Sequence, residues 1–416
     1  MFAQKGAMSI PMTRAAAQAA DLADPLAACR AHFVMPTGVT YLVGHSLGPA
    51  TKGAQARVRE AVEHEWADGL VGSWNKAGWI DLAHKVGARL ARLVGAAADE
   101  VVVCDSVSVN LFKLAGAALP LVRHELVMVE DDEFPTDQYI AEGLAGLAKT
   151  GFRKIPAGQG MGALSQGGVL IKSIVNYRSG EIADMAAFER EAALHGAAII
   201  WDLSHGAGIV PVELAHSGAR FAAGCTYKYL NGGPGAPAFV YVSKDVVEET
   251  RSPLPGWLGH KNPFSFTGDY EPADGIGRYT AGTPSILSLS ALDGALQAFD
   301  GVDVADVHDK AGKLGDMVLG LAEGFAEFGL ATASPRDRTG RGGHVSLTHD
   351  EGFAVVQALM AQGIQADFRA PSTIRFGLSP LFLSYTEVFD AMEALGQCLR
   401  SGSWDQPQFK IRSKVT

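Results

Sequence analysis

The stretch GCTYKYLNGGPG, residues 224–235, sets one lysine between two tyrosines and runs directly into a glycine-rich turn. A solvated surface lysine needs none of this setting. An amine that bonds covalently to an aldehyde does, because burial or a neighbouring cation must first make it give up its proton. The preceding FAAGCT is small and apolar, so Lys228 is expected at the edge of something buried. Three further stretches carry groups of matching chemistry. Asp202 closes the apolar run AAIIWD, with His205 three residues on. An aspartate there is either a turn or cap residue or the counter-ion of a ring nitrogen, which it would keep protonated. His205 fits either a satisfied polar group or a neighbour of the same ring. DSVSVNLFK (105–113) reads as a strand-to-helix junction whose first N–H groups and two serines suit a phosphate ester, or ordinary N-capping. RAPSTIRFGLSPLF (369–382) puts Arg375 on a strand, either salt-bridged at the surface or clamping a carboxylate with its planar fork.

Elements must bring these together. Apolar strands alternate with helices from residue 100 onward: strands near 100–105, 125–132, 167–177, 197–205, 219–230 and 238–243, helices near 108–122, from Pro135, and 184–196. That rhythm predicts an α/β fold with a mostly parallel central sheet flanked by helices and right-handed crossovers. Ligands of such sheets sit beyond the carboxyl ends of the strands. Four strand ends carry the marked residues: Ser106–Ser108, Phe134–Asp137, Asp202 with His205, and Tyr227–Lys228. Upstream, helices are expected over 12–32 and 52–69, the latter from the four-residue spacing of Val58, Val62 and Trp66. Residues 251–285 are rich in Pro, Gly and aromatics and too long for an ordinary connection, which marks a functional loop. A long helix over 301–329 and strands near 343–348 and 373–378 predict a smaller α+β domain at the C-terminal end. The organisation read is an N-terminal segment, 1–50, packing with the small domain, a large domain over 51–300 and the small domain over 301–416.

Composition excludes several classes. The 416 residues are 47% hydrophobic, ample for more than one compact domain. Lys and Arg number 35 against 45 Asp and Glu, a net charge of −10, with no basic block, so neither nucleic acid nor an anionic membrane is an expected partner. No apolar run reaches bilayer length, and no export signal is read in the first residues. Cys29, Cys104, Cys225 and Cys398 show neither metal nor disulfide spacing. They fit free thiols in a cytoplasmic setting; no metal is expected. P-loop and G-x-G-x-x-G patterns are absent, which turns the phosphate site away from nucleotides.

An aldehyde-accepting lysine, a ring-nitrogen aspartate, a phosphate cradle and a carboxylate clamp together describe pyridoxal 5′-phosphate acting on an amino acid. At these residues the chain resembles kynureninase of the bacterial type, a fold-type I enzyme dependent on that cofactor. The resemblance runs from about Tyr41 to Phe382 and rests on SWNKAGWIDL, DSVSVNLFKL, EFPTDQY, IVNYRSGE, IWDLSHGAG, YKYLNGGPGAPAF, GWLGH and GTPSILSL. It implies that Lys228 carries the covalent link and removes the α-proton, that Asp202 pairs with the ring nitrogen, and that Phe134 stacks on the ring with Asp137 and His205 around it. Val107, Ser108, Tyr227 and Trp257 would meet the phosphate, Ser173 would contact the cofactor, and Thr283 would sit on a loop reaching a neighbouring subunit's site. Arg375 would hold the substrate carboxylate, and Ser46 would face the substrate. The implied reaction is hydrolysis of L-kynurenine to anthranilate and L-alanine by a homodimer, with Tyr227 passing the proton to the β-carbon. Trp74 and Gly282 stand where animal enzymes of the family carry His and Ser, which favours L-kynurenine over its 3-hydroxy derivative. YLVGHSLG departs from the family's YLDGNSLG: Val43 replaces an acid, and His45 replaces Asn. His45 is either a tolerated loop substitution or a sign of a pocket reshaped for a modified kynurenine or another γ-keto amino acid. Other readings are a desulfurase, which lacks a loop cysteine here, an aminotransferase, or a non-catalytic homologue, which would be expected to lack the lysine or the aspartate.

Overall fold

A computed structural model describes residues 10–412; the first nine and last four residues of the segments expected at 1–50 and 301–416 lie outside it. The central sheet has seven strands: β1 Val101–Val103, β2 Leu126–Glu130, β3 Gly151–Ile155, β4 Val169–Ser173, β5 Ala198–Asp202, β6 Phe221–Gly224 and β7 Phe239–Val242. Their order is β1-β7-β6-β5-β4-β2-β3, and β7 alone runs against the rest. The strands form where β-branched residues cluster. Val101–Val103 and Ile199–Ile200 are at most 1% exposed, as strands covered on both faces require; burying each such side chain contributes about 2 kcal/mol.

Helices return the chain between parallel strands. Val107–Ala118 is capped by Ser106, whose Oγ accepts from Val109 N, and Pro135–Ala148 begins on a proline that has no N–H to leave unpaired. Met185–His195 starts at Asp184, which accepts from Ala187 N. Because the carboxyl ends of β1, β2, β4, β5 and β6 lie along one edge of the sheet, the loops at 104–108, 131–137, 173–177, 202–206 and 225–235 gather there.

A second sheet of four short strands follows: β8 Ala331–Thr332, β9 His344–Thr348, β10 Asp367–Arg369 and β11 Thr373–Gly377, in the order β10-β11-β9-β8, all antiparallel. Helices Val304–Glu323, Gly352–Met360 and Tyr385–Ser401 accompany it; the last opens with a reciprocal Ser384–Glu387 capping box. The N-terminal residues tie into this part. Thr40–Tyr41 pairs in parallel with Ile364–Gln365, Val43 bridges to Gly377, Asp24 pairs with Lys310 at 2.7 Å, and Arg30 pairs with Glu387.

Three local expectations are corrected. The helix expected over 12–32 stops at Leu22 and resumes as a 3-10 turn over Ala27–His32, because Pro25 restricts Asp24 and offers no N–H. The helix expected over 52–69 is regular only over Lys52–Glu60; it then widens, with Ala67 N donating to Val62 O and Gly69 N to His64 O. Its apolar Val62 and Trp66 face outward, 39% and 56% exposed. Strand β3 was not anticipated. Residues 251–285 contain only short 3-10 turns and one isolated bridge, His260 to Pro272. No helix among the described residues is long and apolar enough to cross a membrane.

Candidate active site

The gathered loops enclose a cavity of about 800 Å³. Lys228 and Tyr227 line it just past β6, and Asp202, Ser204 and His205 line it past β5. Ser173 ends β4 on the same wall, Phe134 and Asp137 reach it from the start of the helix after β2, and Val107 and Ser108 from the helix after β1. From the second sheet come Arg375 and Arg369, from the N-terminal segment His45 and Ser46, and from the long aromatic loop Gly282 and Thr283. Two of the expected site residues do not line the cavity. Trp74 stands edge-on to Trp79 at 5.8 Å, and Trp257 packs with Phe264 and Phe266. Arg369, Asp367 and the buried Lys113 were missed by sequence reasoning.

The anion end is built at the N-terminus of helix Val107–Ala118, whose first-turn N–H groups have no intrahelical acceptor. The preceding loop is fastened from below. Asp105 sits at φ +50, and its carboxylate accepts from Lys113 Nζ at 2.7 Å. Lys113, with a fully buried side chain, also donates to Tyr279 O at 2.7 Å. Asn110 Nδ2 donates to Cys104 O at 2.8 Å. Burial pushes the Cys104 thiol up to about 11, so it stays protonated.

Two carboxyls face Lys228. Asp202 Oδ1 accepts from Ser204 N at 2.8 Å and from Ser204 Oγ at 2.5 Å. Asp137 Oδ2 accepts from Ser173 Oγ at 3.5 Å, while its buried Oδ1 has no protein partner. Burial raises both carboxyls. Asp137 is pushed further, because the charges of Asp202 and Glu133 add to burial; the Lys228 charge opposes the shift at both, helped by Ser173 at Asp137 and by the two Ser204 bonds at Asp202. Of the two, Asp202 is the more readily ionised. His205 is held neutral by burial, then by Lys228 and the other nearby cationic groups, and its Nδ1 has no partner. Burial, then Cys225, keeps Tyr227 a phenol, well above the ordinary tyrosine range. Phe134 meets Tyr177 edge-to-face at 5.2 Å and is 41% exposed, leaving ring surface open.

The carboxylate end is occupied by an internal pair. Arg375 donates through Nε and Nη2 to the two oxygens of Asp367, at 2.8 and 2.6 Å, and through Nη1 to Tyr177 O at 2.7 Å. Arg369 Nη2 stands 3.1 Å from the same Asp367. One buried carboxylate against two guanidiniums leaves a net positive charge of one, suited to one incoming carboxylate.

This donor set is what a phosphorylated pyridine aldehyde requires: a cradle of helix N–H groups, an ionised carboxylate, an amine on the same wall and unpartnered buried polar atoms between them. Comparison with known proteins decides the family. A family model described as kynureninase C-terminal domain matches residues 307–395. The kynureninase of Pseudomonas fluorescens is 43% identical over 414 residues, covering 97% of this chain and all of that protein.

The chain belongs to the kynureninase family.

The kynureninase of Burkholderia mallei (strain SAVP1) is 41% identical over 417 residues, with the same 97% and 100% coverage. Among solved structures, a cysteine desulfurase from Thermococcus onnurineus NA1 superposes with TM-score 0.77 at 18% identity, covering 90% of this chain and 98% of that one. A complex of the cystine C–S lyase C-DES with cysteine persulfide gives 0.76 at 17%, covering 86% and 98%. At such identities the likeness concerns the fold, that of fold-type I enzymes. Within that fold, the motif residues that follow β1, β2, β5 and β6, and Ser173 at the end of β4, line one cavity.

Proposed function

We propose that the protein hydrolyses the Cβ–Cγ bond of L-kynurenine, giving anthranilate and L-alanine, with pyridoxal 5′-phosphate as its cofactor. The observation that carries the reading is the meeting of Lys228, Asp202, the 106–108 helix N-terminus and two arginines, Arg369 and Arg375, around one cavity. When bound, the cofactor supplies an aldehyde for covalent capture and a ring that accepts electrons. Val107 and Ser108 hold the phosphate through backbone N–H groups and a hydroxyl. Asp202 holds the proton of the ring nitrogen, and Ser204 keeps that carboxylate aimed. Phe134, Asp137, Ser173 and His205, which line the same cavity, would surround the ring.

Lys228 removes a proton from the substrate α-carbon and returns one, being the amine on that wall. Tyr227, a phenol beside it with its ring centroid 6.0 Å from Lys228 Nζ, donates a proton to the β-carbon after the bond breaks. Arg375, with Arg369, fixes the α-carboxylate and so orients the bond to be cleaved. Ser46 and Gly282 shape the space for the aromatic ketone.

The enzyme we propose is a homodimer with shared active sites. Trp66, Leu70, Val71, Phe264 and Phe266 are exposed by 56–81%, an apolar display that a second copy would cover. In such a dimer Trp74 and Trp257, outside the cavity of their own chain, meet the ring and phosphate ends of the partner's site, and Thr283 reaches the same boundary. Trp74 then favours kynurenine over 3-hydroxykynurenine. Unpaired cysteines fit a cytoplasmic location. The ties of Asp24 to Lys310 and of Arg30 to Glu387 support a segment 1–50 packed on a small domain 301–416, beside a large domain 51–300. A second reading, cleavage of a ring-modified kynurenine or another γ-keto amino acid, is favoured by His45, which lines the cavity where the family carries Asn.

Incubating the holoenzyme with L-kynurenine and 3-hydroxykynurenine side by side tests the reading. Anthranilate and alanine from the first, at the higher kcat/KM, are expected; keto-acid products would point to an aminotransferase. Borohydride reduction followed by peptide mapping is expected to place the cofactor on Lys228, and a label elsewhere would end the proposal.

A further inference from the structure

His45 is fully buried, and neither ring nitrogen has a hydrogen-bond partner. Its position is tightly set. The chain around it joins the edge of the second sheet, with Val43 bridging to Gly377 and Gly377 N donating to Leu42 O at 2.7 Å. Nδ1 lies against Gly377 so closely that a Cβ there would stand 2.1 Å away. One face of the ring stacks on His344, centroids 5.3 Å apart and planes 17° apart. Nε2 points at Asp367 Oδ2, at 3.6 Å.

Asp367 is the carboxylate that grips Arg375. It faces Arg375 across the antiparallel β10–β11 pair, and its Oδ2 is shared by Arg375 Nη2, Arg369 Nη2 and His45 Nε2. Burial, then Arg375, disfavours a charged His45 ring, so the imidazole carries one N–H. On the Nδ1 side stands the Gly377 Cα, which accepts nothing. The Asp367 carboxylate is the acceptor on the other side, so the proton belongs on Nε2. A separation of 3.6 Å is longer than a hydrogen bond, and a shift of a few tenths of an ångström closes it.

We propose that His45 is a positioning residue for the substrate-carboxylate clamp: its Nε2–H steadies Asp367 when an incoming carboxylate draws on the Arg375 guanidinium, and so sets how firmly the site holds an amino acid. Free of substrate, Arg375 spends Nε and Nη2 on Asp367. A substrate carboxylate competes for the same fork, and the oxygen it leaves less well paired is the one His45 faces. The Asn of the family motif also carries an N–H, but on a shorter side chain. The inference rests on the reading of Arg375 as the carboxylate clamp; it does not depend on which aromatic ketone is cleaved.

The test is an equilibrium titration of the holoenzyme, followed by cofactor absorbance, with L-alanine and with L-alaninamide, which lacks the carboxylate. His45→Phe is expected to weaken L-alanine about tenfold, the worth of one hydrogen bond to a charged group, and to change L-alaninamide by less than about twofold. His45→Gln, which restores an N–H, is expected to recover most of the loss, and with kynurenine the change should appear in KM more than in kcat. If Phe is not accommodated, His45→Leu reads the same quantity. Equal weakening of both ligands, or none of either, overturns the proposal. Failure of the unmutated enzyme to release anthranilate would sink the kynurenine reading yet leave the alanine and alaninamide comparison intact.

Discussion

Ser173 and Asp202 are register partners at the carboxyl ends of adjacent parallel strands, and Ser173 Oγ donates onward to Asp137 at 3.5 Å. The end of one strand thus presents the Asp202 carboxyl, and the neighbouring strand end, through Ser173, holds the Asp137 carboxyl that the helix Pro135–Ala148 brings to the same space. The Ser204 bonds to Asp202, together with the charges that press on Asp137, set the two apart. Replacing Asp202 by Asn keeps the shape and the Ser204 contacts but removes the charge proposed to pair with the ring nitrogen. A fall in kcat of about a hundredfold is expected, with cofactor occupancy verified by absorbance. Unchanged turnover at full occupancy would remove Asp202 from its assigned role.

Lys113 does not line the cavity, yet it fastens the loop proposed to hold the phosphate, through Asp105 and Tyr279 O. Lys113→Met leaves a part-buried carboxylate and a buried carbonyl without their donor. Because Asp105 still reaches solvent, losing the pair costs about 1–2 kcal/mol, and the loosened loop should raise the dissociation constant for the cofactor about tenfold. Fluorescence titration of the apoprotein with pyridoxal 5′-phosphate measures this; equal affinity in the variant would show that the loop holds its shape unaided.

Glu189 lies behind the sheet, buried, with Oε1 accepting from Trp201 Nε1 at 2.7 Å. Burial lifts its carboxyl to about 7, against the opposing pull of Trp201 and Arg220. A folded value above the unfolded one means stability that is full below the ordinary carboxyl range and lost as pH rises through 7, on the order of 3 kcal/mol in all. Glu189→Gln keeps an acceptor for the indole and removes that loss. Urea unfolding at pH 5 and pH 8 should show a smaller decline in the variant; parallel declines would contradict the assignment.

Trp74 offers no acceptor to a ring hydroxyl. Trp74→His is expected to narrow the ratio of kcat/KM for kynurenine over 3-hydroxykynurenine by about tenfold, the worth of one polar contact. Steady-state assays with both substrates read it, and an unmoved ratio would place Trp74 away from the substrate ring in the assembled enzyme.

Much of the site was legible because its residues close strands that the apolar pattern marks plainly: Asp202 ends AIIWD, and Lys228 follows FAAG. What escaped notice lacks a local signature. Asp367 and Arg369 matter through a cross-strand pairing with β11 that no spacing along the chain announces. β3 reads GFRKI, an edge strand whose Arg153 and Lys154 face solvent, and a charged edge has little of the apolar run that betrays a central strand. Val58, Val62 and Trp66 have helical spacing, but a stripe that faces outward carries the same period as one facing a core. Trp74 and Trp257 were assigned through the family motif, which says nothing of the chain on which a motif residue acts.

The reversed strand β7 has a mechanical consequence. Because it runs against β6, Gly224 and Phe239 are register partners, and the segment carrying Lys228 leaves and re-enters the sheet at the same place. The lysine thus rides on an arch with both feet cemented in the most deeply buried masonry of the molecule.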